Sequence, residues 1–221
     1  MNVFGTVKDR NNFLKLVLKI ILVLIVIHVL RAFIFNFLFV TVQPSGPLVL
    51  IFRGLDFIIV GIILLLYFKP SLNDLGLRWD DIRLRSRIFY IIGFSLIPTL
   101  ILSQYIFKWD FYILIFQLIY AIIAPVFEEL LFRGYIWTKI RESKGMINPD
   151  GLTFLTVTLL FSVWQLGYAD VLIRYSNLGF IMILKMMAGL VLGLIVGYLR
   201  LKTGKTYASI IFHALCNLFE L

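Results

Sequence analysis

Charge is scarce in this chain. Asp, Glu, Lys and Arg make up 15% of its 221 residues, against about 25% in soluble domains, so a surface solvated by charge on all sides is excluded. A single cysteine, Cys216, excludes an internal disulfide framework; in an apolar stretch it reads as a small buried hydrophobe. Only two histidines are present, His28 and His213, which narrows the acid–base and metal chemistry open to the chain. The alternating pattern of a membrane barrel is missing, and open sheet edges cannot be satisfied in lipid. No internal repeat or low-complexity tract stands out.

What remains is long apolar runs. The sequence is 61% hydrophobic, where about 45–50% is usual, and its mean hydropathy is +0.98. A spanning helix needs ~20 mostly apolar residues. Seven segments meet or approach this, at 17–40, 48–68, 88–107, 111–137, 152–169, 178–200 and 206–219. The last is short for a full span. The fold class predicted is all-α, a polytopic membrane helical bundle forming one domain over 1–221. The first run lacks a small-residue cleavage site, so it reads as an uncleaved helix rather than a signal peptide.

The net charge of +9 sits in short connections, which orients membrane helices and does not call for nucleic acid. Lys8, Arg10, Lys15 and Lys19 precede the first segment. Lys69 to Arg87, Lys139 to Lys144, and Lys202 with Lys205 fill the even connections, while the odd ones hold one basic residue or none. Positive-inside places the N-terminus in the cytoplasm. Within 70–87 (PSLNDLGLRWDDIRLRSR) apolar and charged residues interleave, as in an interfacial amphipathic segment or an ordinary cytosolic loop.

Charges inside the spans stand out. An ionisable residue at the bilayer centre costs from ~2.5 to well over ~10 kcal/mol, yet 128–133 reads EELLFR. Glu129 and Arg133 are four apart and share a helix face, which allows an ion pair. Glu128 points about 100° away, into the bundle. A carboxylate in an apolar pocket suits general acid–base work; a purely structural ion pair is the competing reading. His213 and Asn217 share a face four apart in the last segment, and Phe161 and Gln165 do so in the fifth, followed by Gly167 and Tyr168. Arg53 and Asp56 can pair, and Arg31 and Lys185 read as snorkelling side chains. Gly189, Gly193 and Gly197 form a flat face for close helix packing, within the chain or between copies.

The order Glu-Glu-x-x-x-Arg, Phe-x-x-x-Gln, His-x-x-x-Asn, with PVFEELLF followed by RGYIW and TGKTYASIIFHALCN around it, resembles the CAAX protease and bacteriocin-processing (Abi) family of intramembrane proteases. The resemblance covers about 111–218. It implies a metal-independent endopeptidase in which Glu128 activates a water, with Glu129 beside it and Arg133 orienting the acids. His213 and Asn217 would contact the water or the tetrahedral intermediate. The family's second motif is Phe-x-x-x-His, and Gln165 stands where that His belongs. An amide hydrogen-bonds but does not exchange protons near neutral pH. Three explanations compete: a natural variant with weakened or altered activity, a family member that lost proteolysis and acts as a membrane scaffold or bacteriocin self-immunity protein, and an engineered inactivating substitution. Glu128, Glu129 and His213 could in principle hold a metal, but zinc sites usually need more histidine, so no cofactor is expected. The implied partners are a peptide or membrane-protein substrate and the lipid bilayer. The lack of a long tail of the eukaryotic kind points to a prokaryotic plasma membrane. At 1.5 Å per residue Glu128 lies ~15 Å, His213 ~10 Å and Gln165 ~20 Å from the cytoplasmic ends of their helices, so access from the cytoplasm or inner leaflet is expected.

Overall fold

Seven helices make up most of the described residues. The computed structural model describes residues 3–43, 46–168 and 177–219. They are α1 (Val7–Val42), α2 (Pro47–Phe68), α3 (Leu84–Lys108), α4 (Phe111–Arg141), α5 (Pro149–Trp164, extended by a 3₁₀ turn Gln165–Tyr168), α6 (Leu178–Thr203) and α7 (Tyr207–Leu218). The first six are long and apolar enough to cross a membrane, while α7 has 12 residues and so reaches only ~18 Å. The all-helical expectation and the count of about seven hold. Parts of two connections in the charge alternation, 44–45 and 169–176, lie outside the described residues.

Local signals explain the helix boundaries. Thr6 accepts the Asp9 N–H at 3.1 Å, Asp110 that of Tyr112 at 2.8 Å and Asn148 that of Gly151 at 2.9 Å. Each satisfies an amide that the first turn leaves without a partner. Pro47 and Pro149 open α2 and α5, where a missing N–H costs nothing. Outward faces are apolar: Leu18, Leu22, Val29 and Phe33 of α1 are all exposed, as residues that meet lipid should be.

The glycine stripe of α6 turns inward. A Cβ on Gly189 would stand 2.5 Å from Gln165 Cγ, on Gly193 3.3 Å from Thr158, and on Gly197 3.0 Å from Phe154. These glycines seat α6 on α5, so the close packing is within the chain.

Helix α4 is not uniform. It widens to π-helical geometry at Leu118–Ile123 and again at Leu130–Ile136, a feature common at functional sites. Pro125 follows the first widening and cannot donate a hydrogen bond. The Ala124 N–H bonds Ile119 O, one residue back from its usual acceptor, so Tyr120 O has no helical donor.

The 70–83 stretch is a turn-rich loop, not an interfacial helix. Leu75 and Ile82 are buried, and the loop packs under α7. Thr206 donates to Leu75 O at 2.7 Å and Tyr207 to Leu77 O at 2.6 Å. Lys205 pairs with Asp81 at 2.5 Å and Lys139 with Asp74 at 3.1 Å. A Cβ on Gly134 would lie 3.0 Å from Leu75 O, so the loop touches α4 backbone to backbone. Arg200 bonds Arg133 O at 2.8 Å. Thus α7 starts level with Arg133, not level with the end of α4.

Two outcomes follow. Gly134→Ala should lower the thermal midpoint in detergent, by an overpacking cost of ~1–3 kcal/mol. Gly179→Ala, where nothing lies within 4 Å of the added carbon, should leave it unchanged. Hydrogen bonds from Ser71 hold the Asp74 carboxyl below its ordinary pKa, and those from Lys205 do the same for Asp81. Folded pKa values below the unfolded ones add stability above about pH 4 that is lost as pH falls through them. Hydrogen exchange of the 70–83 amides, taken relative to their intrinsic rates, should therefore quicken as pH drops from about 4, and no such change should appear between pH 5 and 7.

Candidate active site

The acids of α4 fall between its two widened stretches. Glu129 is fully buried and its Oε1 is shared. Arg133 Nη1 donates to it at 3.1 Å, and His213 Nδ1 from α7 lies 2.9 Å away. The predicted Glu129–Arg133 pair is present, with no exposure of either side chain. Arg133 also bonds Gly193 O at 3.3 Å, and its guanidinium sits 4.1 Å from the centre of the Phe161 ring. Phe161 in turn meets His213 edge-on at 5.9 Å. The first residue of the Phe-x-x-x-Gln motif is thus the aromatic wall that holds both Arg133 and the imidazole.

Glu128 is 4% exposed and points elsewhere. Its Oε1 accepts from Trp164 Nε1 at 2.8 Å and from the Tyr168 hydroxyl. Its Oε2 faces His213 Nε2 at 3.9 Å, too long for a direct hydrogen bond but a spacing that a water can bridge. With Glu129 ionised against Arg133, the Nδ1–H of His213 donates to it. That leaves Nε2 as an acceptor turned toward Glu128.

A cavity of about 330 Å³ adjoins these groups; Glu128, Gln165, Lys185, His213 and Asn217 are in its wall, with Phe116 and Tyr120. All six predicted site residues are therefore close together: four line this cavity, and Glu129 and Arg133 stand behind it. Asn217 is partly committed. Its Nδ2 donates to Tyr120 O at 2.7 Å, the carbonyl stranded by Pro125. An amide nitrogen carries a second N–H. Gln165 is fixed by Gly189, which leaves no room for a Cβ beside it. Among the described residues no three His, Cys, Asp or Glu side chains are placed to hold a metal ion.

Several expectations need correction. Arg31 does not snorkel: it is 5% exposed and bonds Asp56 at 3.0 Å, closer than Arg53 at 3.9 Å. Lys185 does not snorkel either; its Nζ lies 4.6 Å over the Tyr168 ring. His28, in the first segment, also stands beside the site. Its ring is 3.6 Å from that of Trp164, and a Cβ on Gly167 would collide with it. The cavity wall draws on the helix ends away from the basic connections: Phe116, Lys185 and Asn217 lie toward those ends of α4, α6 and α7.

Trp164 and Tyr168 are site residues that spacing alone does not single out. The available signal was chemical: a Trp and a Tyr flanking the second motif each carry a polar handle that needs a partner when buried. Removing one partner of a buried ion pair costs about 3–5 kcal/mol. Arg133→Met is expected to lower stability in detergent by about that much. Adding Glu129→Gln, which keeps an acceptor for His213, should restore most of it in a denaturation series.

Comparison with known proteins agrees with this layout. The family model described as Type II CAAX prenyl endopeptidase Rce1-like matches residues 109–219, half of the chain and nearly the span expected from the motifs. No curated protein and no solved structure matches it. Six helices apolar enough to cross a membrane and this match make the chain an integral multi-pass membrane protein. It belongs to the Rce1-like family of CAAX-protease-type membrane proteases.

Proposed function

We propose that the chain is an intramembrane endopeptidase whose catalytic core spans about 111–218 and which hydrolyses a peptide bond with a water activated by Glu128. The observation that carries this is the opposition of Glu128 Oε2 and His213 Nε2 at 3.9 Å beside a cavity large enough for an extended backbone segment. A water between them gives one hydrogen to each acceptor and turns its lone pair to the substrate carbonyl. Glu128 Oε2 takes a proton as the water oxygen bonds to the carbonyl carbon. Asn217 and Gln165 donate N–H groups to the resulting oxyanion. The C–N bond then breaks, and the proton on Glu128 passes to the departing amine. His213, fixed at Nδ1 by Glu129, orients the water throughout.

Gln165 favours a second reading. Where the family motif has an imidazole, this chain has an amide, and loss of an acid–base group commonly costs 10²–10⁴-fold in rate. A non-catalytic scaffold or a self-immunity protein would use the same fold without turnover. Purified protein and a quenched peptide library separate the two. The protease reading expects cleavage that falls at least ~100-fold in Glu128→Ala and rises ~100-fold or more in Gln165→His. Cleavage unaffected by Glu128→Ala removes the mechanism. Silence of the natural chain, with cleavage emerging in Gln165→His, assigns the non-catalytic role.

A further inference from the structure

The hydrogen bonds that aim Glu128 come from the end of a helix. Trp164 is the last residue of α5, and Tyr168 closes the 3₁₀ turn that follows it. Together they occupy Glu128 Oε1, which leaves Oε2 opposite His213 Nε2 at 3.9 Å. Helix ends fray, and they open at little cost in free energy. An indole and a phenol placed there hold a carboxylate steadily only if groups outside α5 hold them in turn. The groups that do so from α1 and α2 lie outside residues 109–219, the span matched by the family model.

Two of these groups are on α1. His28 and Arg31 are three residues apart and share one face of the helix. Polar side chains turned into a membrane bundle mark function by default. The imidazole of His28 lies 3.6 Å from the Trp164 ring, tilted by 32°, and meets the Tyr168 ring edge-on at 6.2 Å. Gly167 makes this fit possible, because a Cβ there would collide with the imidazole. The turn between indole and phenol is therefore clamped against α1. One helical turn further on, the Arg31 guanidinium stands 5.3 Å from the centre of the Tyr168 ring and 3.5 Å over that of Phe57. Asp56 of α2 fixes the guanidinium at 3.0 Å, in a pair whose side chains are 6% and 0% exposed. A cation over an aromatic face is attracted to it, most strongly away from water. Lys185 of α6 approaches the same phenol ring at 4.6 Å. Tyr168 is thus gripped from three helices that are not its own, and Trp164 from one of them.

We infer that His28 and Arg31 are positioning residues for Glu128, acting through Trp164 and Tyr168, so that the site is complete only with α1 and α2 docked on the 109–219 core. That Glu128 works on a water rests on the protease reading; that α1 holds Glu128 in place does not. The test is therefore read on Trp164 itself, in the full-length chain in detergent. Four tryptophans give four indole N–H resonances after isotopic labelling, and the one missing in Trp164→Phe is that of Trp164. In His28→Ala and in Arg31→Gln this N–H is expected to exchange with solvent at least ~10-fold faster. Its proton should also move upfield, as it does in Glu128→Ala, where the carboxylate is removed. Trp137, buried in α4, should keep its rate, and Arg31→Lys, which keeps the cation, should recover most of the protection. In the cleavage assay the same two variants should lower kcat by ~10-fold or more at unchanged KM. A Trp164 resonance that responds to Glu128→Ala but to neither α1 variant overturns the inference. So does equal acceleration of all four indoles in both variants, which assigns His28 and Arg31 to stability alone. Loosening of Trp164 in the α1 variants of a chain that cleaves nothing sinks the protease reading and leaves this one standing.

Discussion

One carboxylate oxygen organises this protein. Glu129 Oε1 binds the guanidinium of its own helix and the imidazole of α7 at once, at 3.1 and 2.9 Å. A charge this deep in an apolar bundle persists only when it is paired and hydrogen-bonded, and here the pairing joins three elements. Arg133 reaches on to Gly193 of α6, and Phe161 of α5 packs against both the guanidinium and the imidazole. The consequence for Glu128 is indirect but large. Its neighbour neutralises Arg133 and fixes His213, so Glu128 is left to point at the cavity with two neutral donors, Trp164 and Tyr168, on one oxygen. Adjacent acids thus have separate tasks because they face different surroundings.

The geometry of α4 makes this arrangement possible. A regular helix satisfies its own carbonyls and offers none to neighbours. Each widened stretch of α4 passes over one. After Leu118–Ile123 it is Tyr120 O, taken by Asn217. At Leu130–Ile136 the Trp137 N–H bonds Phe132 O and Gly134 O, and Arg133 O accepts from Arg200 Nε at 2.8 Å. The released carbonyls are docking points for the C-terminal residues, one at each end of α7. They set the height of that short helix, sunk to the level of Arg133, and so carry His213 to Glu128 and Glu129. Counting 1.5 Å per residue from the helix ends gives ~10 Å for His213 and ~15 Å for Glu128, depths that can meet, and the sunken start of α7 closes the difference between them.

Periodicity and charge spacing made the bundle and most of the site readable in advance. Hydropathy marked seven helices because lipid leaves the backbone few alternatives, and the i, i+4 rule found Glu129–Arg133 because both residues lie on one helix. Contacts between helices were not readable in this way. Nothing in the spacing of Arg31, Asp56, His28 or Lys185 says that α1, α2 and α6 bring them behind Trp164 and Tyr168. A lone cation in a span has two inexpensive solutions, snorkelling or a buried partner, and the choice depends on a neighbouring helix. The 70–83 loop is similar. Its interleaved apolar and charged residues fit an interfacial helix as well as a plug, and the plug is realised because Gly76 and Gly134 allow backbone contact.

The same reasoning bears on what Gln165 does. It belongs to the cavity wall, where its side chain lies against Gly189, a position at which any larger residue would displace it. An amide there supplies directional hydrogen bonds without a proton-transfer partner, in a chamber that already has one imidazole, tied through Nδ1 to Glu129, and one carboxylate free on a single oxygen. In the proposed mechanism Glu128 and His213 hold the water, and Gln165 is left to hydrogen-bond what the water attacks. On the proposed reading, polar donors that end at a dry, charge-paired floor on one side and face a cavity on the other would bind a peptide backbone even where turnover is slow.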